Sequence, residues 1–199
     1  VDLTAALAAA SSSEPGREKI LLDPGWRFAL GDACSFESDF GYGNGMTFAK
    51  AGEAVGPIKI NFNDSTWRKV DLPHDWAVEL DFVRSDNPQV ISHGFKPIGR
   101  AYPQTTIGWY RKTFTLPESD RGRRFEIRFD GVFRDCIIWF NGHYLGQNLS
   151  GYSEFGYDIT DYIDYGTKNA IVVRVDASQY EGWFYEGAGI YRHTWLIKH

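Results

Sequence analysis

Residues 125–130 read Phe-Glu-Ile-Arg-Phe-Asp, a stretch in which three apolar side chains alternate with three charged ones. An alternation of period two predicts a β-strand that buries one face and exposes the other. The next apolar run, Cys-Ile-Ile-Trp-Phe at 136–140, stops at Asn141-Gly142, and His-Tyr-Leu-Gly follows at 143–146. Asn-Gly between two such runs is the strongest short signal of a β-hairpin. This part of the chain therefore predicts three consecutive β-strands.

Strands of similar length are predicted along the rest of the chain, and helical periodicity is nearly absent. The best helical candidate is a single turn at 160–163. Eight or more short antiparallel strands, with long connections at 32–63 and 78–107, favour an all-β, jelly-roll-like β-sandwich over an up-and-down barrel. A rigid sandwich carries its recognition residues on such connections. The additional strands are expected at 26–30, 67–72, 109–116, 155–159, 170–175 and 193–197.

The composition of the 199-residue chain agrees with this fold and narrows the classes of function. Aromatic residues make up 16% of the chain, and 21 Gly and 8 Pro supply many turns. A formal net charge of -5 without a large basic cluster disfavours nucleic-acid binding. No apolar run approaches the roughly 18 residues that a membrane span needs.

The two cysteines, Cys34 and Cys136, are too few for a disulfide framework or a four-ligand zinc site. We expect two free thiols, with a single bridge between them as the alternative.

The first 19 residues differ in composition from the rest of the chain. An Ala/Leu segment with small residues at 8–10 precedes a linker of Ser, Glu, Pro and Gly. This order resembles the end of a secretory signal with an A-x-A-like cleavage site, although a basic n-region is missing. We therefore expect an exported protein with a leader at 1–19 and one domain at 20–199; the alternative is a plain disordered leader.

The sequence offers few motifs for catalysis or metal binding. A G-x-S-x-G elbow, an H-E-x-x-H motif and a C-x-x-C motif are all absent, and the five His residues are scattered. No metal or cofactor site is therefore predicted. The stretch 180–187, Tyr-Glu-Gly-Trp-Phe-Tyr-Glu-Gly, combines aromatic rings with carboxylates. Rings can stack on the apolar face of a sugar while carboxylates accept its hydroxyl protons; the alternative is a loop that packs against the sandwich edge.

Seven segments in order resemble the N-terminal sugar-binding domain of family 2 glycoside hydrolases, which include β-galactosidases, β-glucuronidases and β-mannosidases. The resemblance runs from about residue 20 to the end of the chain. It implies a galactose-binding-domain-like sandwich, in agreement with the fold read from periodicity. The matching segments are Trp-Arg-Phe at 26–28, Trp-Arg-Lys-Val-Asp-Leu-Pro-His-Asp-Trp at 67–76, Gly-Trp-Tyr-Arg-Lys-Thr-Phe at 108–114, Phe-Asp-Gly-Val at 129–132, Trp-Phe-Asn-Gly-His-Tyr-Leu-Gly at 139–146, 151–160, and Gly-Ala-Gly-Ile-Tyr-Arg at 187–192.

The resemblance implies a non-catalytic domain of a larger retaining glycosidase that is similar to β-galactosidases. In that family two catalytic Glu residues lie in a (β/α)8 barrel that follows an immunoglobulin-like domain, and an all-β chain of this length has room for neither domain. The expected partners are those two domains and the carbohydrate substrate. By itself the chain is expected to be inactive, without a catalytic residue of its own.

Two loops of the family's domain help to form the sugar subsite, and their positions in this chain give the candidate site. The segment before Gly-Ile-Tyr-Arg is one loop, and the segment 93–104 is the other. Better-known β-galactosidases have an Asp that contacts sugar and sodium where this chain has Trp183, so the resemblance does not carry a sodium ligand over. The candidate substrate-binding residues are Glu181, Trp183, Phe184, Tyr185 and Glu186 in the first loop, with Lys96, Arg100 and Tyr102 as weaker candidates in the second.

Other residues in the matching segments are expected to be structural. We interpret His74 and Asp75 as members of a buried polar network and Trp76 as a core residue, and we expect strand packing or ion pairs for Arg111 and Arg192. Two alternatives to the accessory-domain hypothesis stay open. One is a self-sufficient carbohydrate-binding module, and the other is a structural or interaction domain whose loops only pack on neighbours.

Overall fold

The computed structural model describes residues 16–48, 54–181 and 186–199, which form two antiparallel β-sheets. The four-stranded sheet has the order β1-β10-β5-β8, and the six-stranded sheet has the order β3-β2-β4-β9-β6-β7. From β4 onward the chain passes repeatedly from one sheet to the other. The strands are β1 (Glu18–Leu21), β2 (Trp26–Leu30), β3 (Arg68–Val70), β4 (Ile107–Thr115), β5 (Phe125–Phe129), β6 (Cys136–Phe140), β7 (His143–Asn148), β8 (Phe155–Asp158), β9 (Lys168–Asp176) and β10 (Thr194–Lys198).

The main core lies between the two sheets and confirms the all-β sandwich. On β5 the side chains of Phe125, Ile127 and Phe129 are buried in this core, as the alternation predicts. Glu126 and Arg128 lie on the opposite face and form an ion pair at 2.8 Å. The six-stranded sheet contributes apolar side chains of β4, β6 and β9 to the same core.

The predicted hairpin joins β6 to β7. Asn141 and Gly142 have φ values of 49° and 85°, the left-handed conformation that a two-residue hairpin turn requires. All five residues of β6 are buried, because both faces of this strand are covered. Its inward residues face the main core, and its outward residues Ile137 and Trp139 belong to a second apolar cluster.

The second cluster is formed by the long connection between β2 and β3, which packs on the outer face of the six-stranded sheet. Phe40 and Trp67 from this connection pack beside Trp109 of β4. The connection also brings a buried ion pair, in which Arg174 donates to Asp39 at 2.7 Å. The other carboxylate oxygen of Asp39 accepts the indole N–H of Trp109 at 2.6 Å. The described residues of this connection thus cover the outer face of the six-stranded sheet with a second apolar cluster.

Short helices occupy the connection between β3 and β4 and were not predicted. Helix α1 (Pro88–Ser92) and helix α2 (Pro103–Thr106) each begin with Pro, which suits the first helical turn. The side chain of Asn87 caps α1 by accepting the N–H of Gln89 at 3.0 Å. Five- and four-residue helices are too short to show a helical period. The 3-10 helices are Gly45–Phe48, Gly56–Ile58, Trp76–Glu79, Glu118–Asp120 and Thr160–Tyr162, the last of which confirms the predicted single turn.

Strand β1 begins at Glu18, which pairs with Lys198 of β10. Within the described ranges no helix is long and apolar enough to cross a membrane. Cys34 is exposed and Cys136 is buried, and both are free thiols.

The buried pair between Asp39 and Arg174 should matter far more for stability than an exposed pair of similar length. Asp39→Ala removes the buried partner of Arg174 and leaves Asp176, at 3.5 Å and partly exposed, as a remaining carboxylate, and we expect a loss of about 3–5 kcal/mol in unfolding free energy. Urea denaturation measures this loss. The control is Glu118→Ala, which breaks the exposed pair of Glu118 with Arg121 at 2.8 Å and should cost less than about 1 kcal/mol. Equal losses in the two variants would contradict this account of the second cluster.

Candidate functional site

The first predicted site loop lies between β9 and β10, and the structure describes its two ends. Trp183, Phe184 and Tyr185 lie outside the described residues. Glu181 is exposed, and its carboxylate pairs with the guanidinium of Arg134 at 3.1 Å. Arg134 comes from the connection between β5 and β6, so this ion pair joins the start of the loop to a distant segment. An exposed carboxylate at this position can accept hydrogen bonds from sugar hydroxyl groups.

Glu186, at the other end of the loop, is completely buried in this chain. Its carboxylate accepts the backbone N–H of Glu181, and its own N–H donates to the carbonyl of Ser92 at 3.0 Å. These two bonds close the loop on itself and attach it to the end of α1. The structure thus gives Glu186 a role in fixing the loop, and a substrate contact by this side chain stays a prediction.

Asp75 fixes the chain immediately after the loop. One oxygen of its carboxylate accepts the N–H of Ala188 at 2.8 Å and the N–H of Ala77 at 2.9 Å. Burial raises the pKa of the Asp75 carboxyl, and the two N–H donors partly offset that rise. The second oxygen lies so close to Gly187 that a Cβ atom there would be 2.0 Å away. A residue with a side chain does not fit at position 187 without displacing Asp75.

The interpretation of residues 74–76 as structural is confirmed. Trp76 is buried in the main core, and the Nδ1 atom of His74 lies 2.7 Å from the hydroxyl of Tyr110. Its Nε2 atom lies 2.8 Å from a guanidinium nitrogen of Arg68, which only donates. Nε2 also lies 3.3 Å from a carboxylate oxygen of Glu79, which only accepts, so its two neighbours favour opposite protonation states of this atom. Burial lowers the pKa of His74, while the carboxylate of Glu79 acts in the opposite direction.

The second predicted loop, residues 93–104, begins directly after Ser92, whose carbonyl accepts the N–H of Glu186. Lys96 is buried, and its ammonium donates to the carbonyls of Leu80 and Val78. Through these hydrogen bonds Lys96 stabilises the connection between β3 and β4. Arg100 is exposed and is the more accessible cation for a ligand, whereas Tyr102 is half-buried.

The residues that fix the loop ends, apart from Asp75, were missed by sequence reasoning. Ser92 contributes a backbone carbonyl, which no side-chain pattern reveals. Arg134 lies 47 positions from Glu181 in the printed sequence, and only the fold brings the two together. The side chain of Gln89 adds a further contact by donating to the carbonyl of Ser178 at 3.2 Å.

One concavity in the described part of the chain is separate from the predicted site residues. It measures about 580 Å³, and none of the predicted residues lines it. Two of its polar side chains have partners within the fold: the His193 ring lies 2.5 Å from the buried carboxylate of Asp23, and Asp130 accepts the indole N–H of Trp195 at 2.8 Å. No group of three His, Cys, Asp or Glu side chains in the described part of the chain could hold a metal ion. The lining residues are Pro73, Asp130, Glu154, Tyr191, Arg192 and His193.

Comparison with known proteins decides the family. Residues 21–199 match the family described as "Glycosyl hydrolases family 2, sugar binding domain". The chain belongs to this family. A β-galactosidase of Bacteroides ovatus is 40% identical over 195 residues, which cover 96% of this chain and 20% of that enzyme. The sequence resemblance that rested on seven segments is thus confirmed.

Solved structures of family 2 enzymes share the fold of this sugar-binding domain. A β-glycosidase from Bacteroides vulgatus superposes with a TM-score of 0.69 at 37% identity, covering 91% of this chain and 20% of that protein. A family 2 glycosyl hydrolase from Bacteroides cellulosilyticus gives a TM-score of 0.70 at 31% identity, covering 90% of this chain and 20% of that protein. The sugar-binding domain therefore spans about a fifth of the length of these relatives.

Gly187→Ala tests the close approach that fixes the end of the site loop. The added Cβ atom would collide with the Asp75 carboxylate, and forced overpacking of this kind costs about 1–3 kcal/mol in unfolding free energy. Gly45→Ala is the matched control, because a Cβ atom there meets no atom of the described residues within 4 Å. Thermal or urea unfolding of both variants is the measurement. A Gly187→Ala protein as stable as the control would show that Asp75 does not constrain this position.

Proposed function

We propose that the chain is the non-catalytic first domain of a retaining β-glycosidase similar to β-galactosidases. The proposal rests on the match of residues 21–199 to the family's sugar-binding domain, together with relatives that are about five times as long. The B. ovatus relative is a β-galactosidase, and others at 38% identity or below are β-glucuronidases or galactosidases. The remaining four fifths of such a protein would contain the immunoglobulin-like domain and the (β/α)8 barrel that the family resemblance implies.

The catalytic residues would lie in the (β/α)8 barrel. A retaining glycosidase uses two carboxylates about 5–5.5 Å apart, one as the nucleophile and the other as the general acid and base. We propose that the barrel contains this pair of carboxylates and that the sugar-binding domain forms part of the substrate-binding site. Binding contacts away from the reacting bond contribute to catalysis when they strengthen in the transition state.

The loop between β9 and β10 is the part of the domain proposed to reach the substrate. Its ends are fixed by the pair of Glu181 with Arg134 and by the contacts of Glu186 with Ser92 and Glu181. A fixed loop loses less conformational entropy when a ligand binds. Aromatic residues at 183–185 would stack on the sugar, and Arg100 of the second loop would add a hydrogen-bond donor.

The isolated chain should hydrolyse no aryl-β-glycoside, because the two catalytic carboxylates would lie in the barrel. An assay of the purified chain with several aryl glycosides, beside the full-length enzyme that contains it, measures this. Turnover by the isolated chain that disappears when one of its own carboxylates is replaced would contradict the proposal.

Trp183→Ala tests the role of the loop in the full-length enzyme. If the Trp183 ring contacts the sugar, the change should lower kcat/KM about 5 to 150-fold, which corresponds to about 1–3 kcal/mol of transition-state binding. The melting temperature should stay within a few degrees of the unmodified enzyme. Phe36→Ala, which removes an exposed aromatic ring from the connection between β2 and β3, is the matched control and should leave kcat/KM unchanged. A Trp183→Ala enzyme with intact kinetics and a clearly lower melting temperature would show that the loop only packs.

A further inference from the structure

Arg134 lies in the connection between β5 and β6, at a point where the backbone is fixed on both sides of the site loop, residues 181–186. Phe133 exchanges two backbone hydrogen bonds, at 2.9 and 2.7 Å, with Gly189, which follows the loop. The carbonyl of Arg134 accepts the N–H of Asp176, the last residue of β9, at 3.1 Å. The backbone at Arg134 is thus attached to the chain before and after the loop.

The guanidinium of Arg134 has hydrogen-bond donors that the described residues do not use. One of its terminal nitrogens, Nη2, lies 3.1 Å from a carboxylate oxygen of Glu181. Its Nε atom is buried and has no hydrogen-bond partner in the described ranges. In the more deeply buried Arg111 and Arg174, by contrast, Nε donates to a carboxylate at 3.0 Å. Because a guanidinium carries five N–H donors and 17% of the Arg134 side chain is exposed, a ligand beside Glu181 can bind to it.

Two exposed groups next to this guanidinium suit a sugar. The Glu181 side chain is 34% exposed, and its carboxylate accepts hydrogen bonds. The ring of Tyr152 is 43% exposed and packs edge-on against Phe133, the residue before Arg134, with 5.6 Å between the ring centres. A sugar hydroxyl both accepts and donates, so it can bind the Arg134 donor and the Glu181 acceptor together. An exposed aromatic ring can pack on the apolar face of the same sugar.

The charges around Arg134 favour a neutral ligand group over an anionic one. Glu181 already balances the charge of the guanidinium, and Asp135 is the next residue in the chain. A carboxylate or phosphate of a ligand would have to displace Glu181 and would leave that carboxylate unpaired beside it. A hydroxyl group can bind while the ion pair stays intact.

We propose that Arg134 is a substrate-binding residue whose guanidinium donates a hydrogen bond to a hydroxyl group of the sugar that the full-length enzyme releases, while Glu181 orients the guanidinium. The inference rests on the proposed function, in which the site loop faces the substrate. It adds a contact from the connection between β5 and β6, which is separate from both loops of the candidate site. The released sugar is the part that all substrates of a glycosidase share.

The test is an assay of the full-length enzyme with an aryl β-glycoside that it cleaves and with the analogues that each lack one ring hydroxyl. Arg134→Met removes the donors, and kcat/KM for the complete sugar should fall about 10 to 150-fold, as expected for a hydrogen bond to a charged group. One analogue lacks the bound hydroxyl and is a poorer substrate of the unmodified enzyme. For that analogue Arg134→Met should lower kcat/KM further by less than about threefold.

Two other variants serve as a second test and as a control. Arg134→Lys keeps a cation for Glu181 without the guanidinium geometry, and the loss of kcat/KM should again be smallest for the same analogue. Arg124→Met is the matched control, because Arg124 also pairs with a carboxylate, that of Asp158 at 2.7 Å, but is exposed outside the candidate site. It should leave kcat/KM unchanged for the complete sugar and for every analogue. Melting temperatures show that each variant is folded.

Three results would overturn the proposal. The first is an unchanged kcat/KM in Arg134→Met and Arg134→Lys. The second is a loss that is equal for the complete sugar and for all analogues, because Arg134 would then only fix the site loop through Glu181. The third is an unmodified enzyme that cleaves every analogue as efficiently as the complete sugar, which needs no variant to measure. If Trp183→Ala lowers kcat/KM as expected while the Arg134 results fail, the proposed function stands and this inference is wrong.

Discussion

The candidate site depends on the close backbone approach of residues 74–76 to residues 188–190. His74 donates its N–H to the carbonyl of Ile190 at 2.8 Å, and Trp76 donates to the carbonyl of Ala188 at 2.9 Å. The carboxylate of Asp75 binds the N–H of Ala188 between them. This approach fixes the point where the site loop returns to the sandwich, because Glu186, at the end of the loop, lies two positions before Ala188.

The rigidity of the sandwich behind this point comes from two apolar layers. The first lies between the sheets, and the second lies under the connection between β2 and β3. Since the second layer covers the outer face of the six-stranded sheet, that sheet is buried on both sides at β6. A strand buried on both faces loses the polar alternation seen on β5, which explains why Cys-Ile-Ile-Trp-Phe contains no polar residue.

Local signals in the sequence predicted the fold well, and contacts between distant segments limited the prediction of the site. The alternation on β5 and the Asn141-Gly142 turn depend on neighbouring residues, and both were correct. The burial of Glu186 and Lys96 depends on packing that the local sequence does not show: the N–H of Glu186 donates to the carbonyl of Ser92, and the Lys96 ammonium donates to the carbonyls of Leu80 and Val78. From the sequence alone, Glu186 and Lys96 were therefore predicted to be available to a ligand. In the structure both are buried and form hydrogen bonds within the domain.

The central claim is that this domain supplies one part of a sugar site that another domain completes. An NMR titration of the isolated 199-residue chain with galactosides and glucuronides, followed at the amides of Glu181 and Glu186, tests it most directly. The account predicts no saturable shifts at sugar concentrations up to about the millimolar range, which corresponds to a binding free energy weaker than about -4 kcal/mol. Saturable shifts at these amides at millimolar or lower concentration would contradict the account and identify a self-sufficient carbohydrate-binding module.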